Sequence, residues 1–294
     1  MMNLGVMGHL MLKKTRDKNV KKYGDKAFQK HWTKMSKKDR EKLGEIAVRP
    51  KPTKFKETNL LDNCTKISNL KDDHPVKDYI KKRLIPTQYY EIIYLVNKFH
   101  NFANKVKPGI FKEKYEHPRL IIPFFDVTGE LFAFQGRAFG KEQPKYITIK
   151  LDETKQKVYG LERVNFQKHV YIVEGPLDSL FLDNCIAVAG ADVPSMDCDF
   201  TIIFDNEPRN RELLKQIEKE IQKGHKIVLW PDSMKHKDIN DMIMAEYTKE
   251  QIQEIIDDNT FSGVAAQLRF AEWKKIDEGS MGKAIRRKES TLEL

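Results

Sequence analysis

The chain has 294 residues, 40% of them hydrophobic and 33% charged, with a formal net charge of +10. Blocks such as RLIIPFF, VYIVEG, FTIIFD and KIVLW can bury enough apolar surface to exclude a wholly disordered chain. No run approaches the roughly 18 consecutive apolar residues of a membrane helix, so no membrane association is expected. Cys64, Cys185 and Cys198 are too few and too scattered for a disulfide framework or a four-thiolate zinc site. The start, MMNLGVMGHLMLKK, lacks the order of a secretory signal. The expected setting is therefore reducing and cytoplasmic.

The charge is concentrated at one end. Residues 1–58 hold 17 Lys/Arg against 6 Asp/Glu, whereas the remainder holds 36 against 37. Such an arm suits a polyanion, nucleic acid first, although a solvated lysine-rich tail has the same composition. RPKPTKFKET around Pro50 and Pro52 reads as a linker, because X-Pro steps disfavour helix. HPVKDYIKKRL then predicts a helix with Val76, Tyr79, Ile80 and Leu84 on one face, and PTQYYEIIYLVNKFH predicts a second, opened by Pro86. RLIIPFF (119–125), turn residues 126–129 and LFAFQGR (131–137) predict a β-hairpin.

From Lys168 the pattern alternates. Strands are predicted over HVYIVEG, IAVAG, FTIIFDNE and KIVLWPD, and helices over PLDSLFLDN, PRNRELLKQIEKEIQK and KDINDMIMAEY. Short apolar strands separated by helices imply a parallel sheet with helices on both faces, whose chemistry collects at the carboxyl ends of the strands. Acids stand at those ends: Glu174 followed by Asp178, then Asp205 and Glu207, then Asp232, Asp238 and Asp241. Converging carboxylates repel unless a cation sits among them, and hard oxygen donors point to Mg²⁺. Any one acid after a strand reads equally well as a helix N-cap or a solvated loop residue; three strand ends together favour a site. Gly175 permits close backbone approach after the first strand. Met242, Ile243 and the apolar residues of 249–270 are expected to pack.

A strand ending in E-G-x-x-D, a later D-x-[DE] and a downstream K-D-x-N-[DE] resemble the Toprim domain of primases and topoisomerases. The preceding RLIIPFFDVTGELFAFQGRAFGKEQPKYIT, with Gly136-Arg137 and Pro144-Lys145-Tyr146, resembles the basic subdomain of bacterial DnaG-type primases. With DHPVKDYIKKRLIP, VYGLERV, EGPLDSLFLDN, DNEPR and KDINDMI in order, residues 60–275 most resemble the primases of T4-type bacteriophages. The resemblance implies an α/β Toprim domain (168–275) preceded by a small α+β basic subdomain (59–167), behind the basic arm (1–58) and ahead of a polar tail (276–294).

It also implies short RNA primers made on single-stranded DNA from ribonucleoside triphosphates during phage DNA replication, beside a separate hexameric replicative helicase in a primosome. No GxxxxGK[ST] P-loop occurs in the sequence. Carried over by position, Asp205, Glu207 and Asp238 hold Mg²⁺, with Mn²⁺ able to substitute. Glu174 is a further ligand or the proton acceptor at the attacking 3′-hydroxyl, and Asp178 and Asp241 are auxiliary ligands. Arg137, Lys145 and Tyr146 face the nucleotide or template. The alternative for Arg137 and Lys145 is an ordinary surface charge, and for Tyr146 a place in the core. The paired Cys-x-x-Cys of the family's zinc ribbon is not in this sequence, so zinc is not expected in this chain, and a ribbon acting in trans stays open. Two alternatives remain: a Toprim nuclease, disfavoured by the FQGR…PKY segment, and a non-catalytic DNA-binding or helicase-anchoring subunit.

Overall fold

Asp126 turns the chain back on itself and so begins the first sheet. Its Oδ1 accepts hydrogen bonds from the Thr128 N–H (2.8 Å), the Thr128 hydroxyl (2.6 Å) and the Glu130 N–H (3.0 Å), while Gly129 takes a φ of 80°. That left-handed position suits a residue without a Cβ. The strands so joined, β3 (Arg119–Phe125) and β4 (Leu131–Ala138), are buried throughout and pair antiparallel from Arg119↔Ala138 to Phe125↔Leu131. The computed structural model describes residues 60–112, 115–190 and 192–275. The basic arm 1–58 and the tail 276–294 lie outside the described residues.

β1 (Thr65–Lys66), β2 (Tyr94–Val96) and β5 (Tyr146–Lys150) complete an antiparallel sheet in the order β1-β2-β3-β4-β5. The first predicted helix forms as α1 (Pro75–Lys82). His74 caps it, its Nδ1 accepting from the Val76 N–H at 3.1 Å, and Val76 and Ile80 are buried. Leu84 departs from that face. The helix ends at Lys82, and Leu84 adopts φ 56° with 52% of its surface exposed.

The second predicted helix, over 86–100, does not form. A 3-10 turn (Thr87–Tyr89) leads into β2, and α2 follows at Phe99–Val106. The YEIIYLV run is rich in β-branched and aromatic residues, and pairing with Arg119–Ile121 of β3 overrides its helical spacing.

The second sheet carries β6 (Val170–Val173), β7 (Cys185–Ala187), β8 (Phe200–Ile203), β9 (Lys226–Val228) and β10 (Thr260–Phe261) in the order β10-β9-β8-β6-β7. β6 to β9 are parallel, as the alternating pattern predicts, and only the edge strand β10 runs antiparallel. Helices α3 (Arg211–Gln222), α4 (Ile239–Met244), α5 (Lys249–Asp258) and α6 (Gly263–Trp273) accompany it. The helix expected over PLDSLFLDN is reduced to a 3-10 turn at Asp178–Leu180. Leu177, Leu180, Phe181 and Leu182 are all buried, so the segment lacks the polar face that a surface helix needs.

A single apolar cluster joins Ile80, Leu120 and Phe124 with Ile172, Ile202, Trp230 and Met242, so the two sheets share a core. A smaller cluster packs Phe99 and Phe102 against Ile121 and Phe134. Gly136 lies so close to Phe99 that an added Cβ would stand 2.2 Å from its ring. Gly136→Ala should therefore cost about 1–3 kcal/mol in denaturant unfolding, and an unchanged midpoint would show that Phe99 moves freely. No helix among the described residues is long and apolar enough to cross a membrane.

Candidate active site

The register of the second sheet brings the acids together. Val173 of β6 pairs with Ile203 of β8, so Glu174 and Asp205 emerge side by side at the carboxyl edge. The Asp205 N–H donates to Glu174 Oε1 at 3.1 Å. Asn206 draws in the third element: its N–H donates to the Lys237 carbonyl (2.6 Å), and its Nδ2 donates to the carbonyls of Met234 (3.0 Å) and His236 (3.2 Å). The loop after β9 is thereby pinned beside Asp205 and Glu207, and Asp238 follows at once. Asp238 caps α4, accepting from the Asp241 N–H at 2.8 Å. The N-cap reading thus holds for Asp238, whose carboxylate also lies near Asp178 and Asp205, and Asp241 supports it through its backbone.

Asp178 sits one turn beyond Glu174, and its Oδ2 fills the space where a Cβ on Gly175 would stand, 2.2 Å away. That close approach explains the glycine. Asp178 Oδ1 accepts from the Asn240 N–H at 3.0 Å. Asp232, also at a strand end, is outside the cluster: it is exposed and pairs with Lys275 at 3.1 Å.

Crowding of these carboxylates appears in their proton affinities. Burial, then the charges of Glu174 and Asp178, push Asp205 up to about 8. Burial and the neighbouring Asp238 raise Asp178, and burial and Glu207 raise Glu174. Glu207 goes the other way: burial would raise it, but hydrogen bonds from Asn210 and Lys237 hold it below the usual range. Lys237 reaches into the group as an ion-pair partner. Lys237 Nζ stands 3.0 Å from Glu207 Oε1 and 3.4 Å from Asp205 Oδ2.

A cationic flank adjoins the acids. Arg137, on β4, is buried, yet among the described residues it pairs with no carboxylate. Its Nε donates to the Tyr146 hydroxyl at 2.9 Å, and its guanidinium lies over the rings of Tyr79 (5.0 Å) and Tyr146 (5.4 Å). The Lys145 ammonium lies 5.8 Å from the centroid of the Tyr146 ring. Lys145 is lowered by burial and by the charges of Arg137, Arg83 and Lys237, with Asp238 opposing. Tyr146 itself is 41% exposed and so is not a core residue. Buried Arg119 holds this edge in place, donating to the carbonyls of Gly136 (3.0 Å), Pro144 (3.0 Å) and Lys145 (3.4 Å).

Four residues that shape the cluster escape the sequence reading. Lys237 and Asn206 lie inside the K-D-x-N-[DE] and D-x-[DE] motifs, but only the acids of those motifs point to metal chemistry. Arg83, at the end of α1, donates to Asn240 Oδ1, and Asn240 Nδ2 donates back to the Arg83 carbonyl at 2.7 Å. Asn240 is fully buried and also holds Asp178, so the pair ties the first sheet's helix to the acid cluster. No spacing rule couples positions 83 and 240. Arg209, two residues beyond Glu207, is exposed.

Carboxylates without His or Cys form a donor set suited to a hard divalent cation. Among the described residues no three come close enough to hold one ion as they stand. Burial first, and neighbouring carboxylates after it, raise the proton affinities of Glu174, Asp178 and Asp205, and a cation beside them would favour their charged forms. The donor set therefore fits a further cation.

No family model matches the chain. The DNA primase of Enterobacteria phage T4 is 37% identical over 235 residues, covering 77% of this chain and 68% of that protein. Solved structures agree on the fold. The Aquifex aeolicus primase, comprising zinc-binding and RNA polymerase domains, superposes with a TM-score of 0.52 at 17% identity over 78% of this chain. The chain spans 64% of that protein's length. A DNA primase domain from Pseudomonas aeruginosa gives 0.53 at 15% identity, covering 69% and 77% of the two chains. A DnaG primase catalytic domain bound to single-stranded DNA gives 0.51 at 14%, covering 71% and 82%. With 37% of its aligned residues shared with the phage T4 enzyme, and with the fold of primase catalytic domains, the chain belongs to the DNA primase family.

Proposed function

We propose that this chain makes RNA primers on single-stranded DNA, with the second sheet as a Toprim catalytic domain and the first as the basic subdomain that presents nucleotide and template. The observation that carries the reading is the junction of two opposite charge groups. Asp238, at the start of α4, faces Lys145, and Asp178, one turn beyond β6, faces Arg83, with Arg137 beside Lys145. Nucleotidyl transfer requires this arrangement, because it depends on positioning and charge neutralisation rather than on a covalent enzyme intermediate.

Asp205, Glu207 and Asp238 would hold Mg²⁺, which neutralises the phosphate oxygens during the displacement. The 3′-hydroxyl oxygen bonds to the α-phosphorus of the incoming ribonucleotide, and the bond to pyrophosphate breaks. Glu174, raised by burial and oriented by the Asp205 N–H, would take the hydroxyl proton. Arg137 brings an acid-free guanidinium to the triphosphate, and Tyr146 brings a half-exposed ring to a base. Residues 1–58 would track the template backbone. A separate hexameric replicative helicase is the partner this reading implies.

Incorporation of labelled ribonucleotides on circular single-stranded DNA with Mg²⁺, with and without such a helicase, tests the reading. Short alkali-labile products are expected. Nicked template without RNA would indicate a Toprim nuclease, and bound DNA without either product would indicate an anchoring subunit. Arg137→Met keeps the stem among Tyr79 and Tyr146 but removes the charge. It should raise KM for ribonucleotide about tenfold to a hundredfold, the worth of a charged hydrogen bond. An unchanged KM would remove Arg137 from the triphosphate's path.

A further inference from the structure

Lys237 is ion-paired with two acids of the cluster, and its charge has the sign of the metal that the cluster suits. Its Nζ stands between Glu207 Oε1 (3.0 Å) and Asp205 Oδ2 (3.4 Å), two of the three acids assigned to Mg²⁺ above. Its backbone is fixed, since the Lys237 carbonyl accepts from Asn206 and the preceding loop is clamped by the same side chain. Its side chain is half exposed, at 50%. A fixed root and an open side chain let the ammonium leave the acids without disturbing the loop. A lysine head is a compact point charge that departs as a unit, where a guanidinium could remain bidentate on the carboxylates.

We infer that Lys237 is a displaceable counter-ion, holding Asp205 and Glu207 together in the metal-free protein and giving way when a divalent cation enters. The inference rests on the reading that these acids bind the metal. A cation entering beside Asp205 and Glu207 meets the same two oxygens, Asp205 Oδ2 and Glu207 Oε1, that the ammonium holds. The tethered ammonium remains beside the flank of Lys145, whose proton affinity it lowers, and there it can pair with a phosphate oxygen of the nucleotide. Metal entry and phosphate capture are then linked through one side chain.

The test uses the full chain without nucleotide, with Mn²⁺ as the probe and free Mn²⁺ measured by electron paramagnetic resonance. Lys237→Met should bind Mn²⁺ about fivefold more tightly than the unaltered protein, the upper range for a partly exposed pair, whereas Lys237→Arg should bind no more tightly. Acetylation of Lys237 by a water-soluble ester, read by mass spectrometry, should rise on Mn²⁺ loading. Equal or weaker Mn²⁺ binding by Lys237→Met, or labelling indifferent to Mn²⁺, would overturn the inference while leaving the acid site standing. Asp205→Asn separates the two questions. If it binds Mn²⁺ as the unaltered protein does, the metal reading itself falls, and the role of Lys237 falls with it.

Discussion

Asp205→Asn should reduce primer synthesis by at least about 10²–10³-fold, the usual consequence of removing one group that stabilises transition-state charge, while leaving the fold intact. The amide keeps the shape of the side chain, and the bond that positions Glu174 comes from the backbone of residue 205, which the substitution does not touch. Stability should follow a distinct pH course. Asp205 is raised from 3.8 to about 8 in the folded chain, so the folded state holds a proton that the unfolded state has released across that interval. The stabilisation is complete below the lower value and is lost as pH climbs through the upper one. Metal-free protein should therefore weaken as pH rises from about 4 to about 8. Asp178 and Glu174, both raised, contribute in the same direction. The Asn variant should show a flatter profile and be at least as stable at pH 8. A variant that unfolds earlier at every pH would show that Asp205 is structural.

Trp230→Ala should give the opposite pattern, a large loss of stability. Trp230 is 1% exposed, and its indole Nε1 donates to the Phe204 carbonyl at 2.8 Å. The side chain thus fills the shared core and fixes the last residue before Asp205. Truncation should cost about 3–5 kcal/mol in denaturant unfolding. Trp230→Phe keeps much of the volume but orphans the Phe204 carbonyl, at a cost of about 1–3 kcal/mol. If Phe and Ala cost the same, the hydrogen bond dominates; if Phe costs nothing, the indole N–H is incidental.

Local chemistry decides what can be read from the chain. The β3–β4 hairpin was legible because Asp126 and Gly129 build the turn from their own side-chain and backbone preferences. Acids placed immediately after apolar strands were legible because parallel strands in register must bring their ends together. The β2 segment was not, because its apolar spacing suits a helix equally well and only its pairing with β3 decides. Asp178–Leu180 fell short of a helix because tertiary burial surrounds Leu177, Leu180 and Phe181 on every side. Arg83 and Asn240 meet across 157 positions, a contact no local pattern encodes. Lys237 is a lysine in a polar loop, and its significance comes only from what Asn206 pins it against.

Primer synthesis by this chain requires the acids of β6, β8 and α4 to form one metal site for nucleotidyl transfer. Anomalous diffraction from crystals of the protein equilibrated with Mn²⁺ tests this most directly. A peak is expected within bonding distance, about 2.0–2.3 Å, of Asp205, Glu207 and Asp238 carboxylate oxygens, with the Lys237 ammonium no longer between the first two. No peak at saturating Mn²⁺, or a peak on other residues with Lys237 still bridging Asp205 and Glu207, would contradict it.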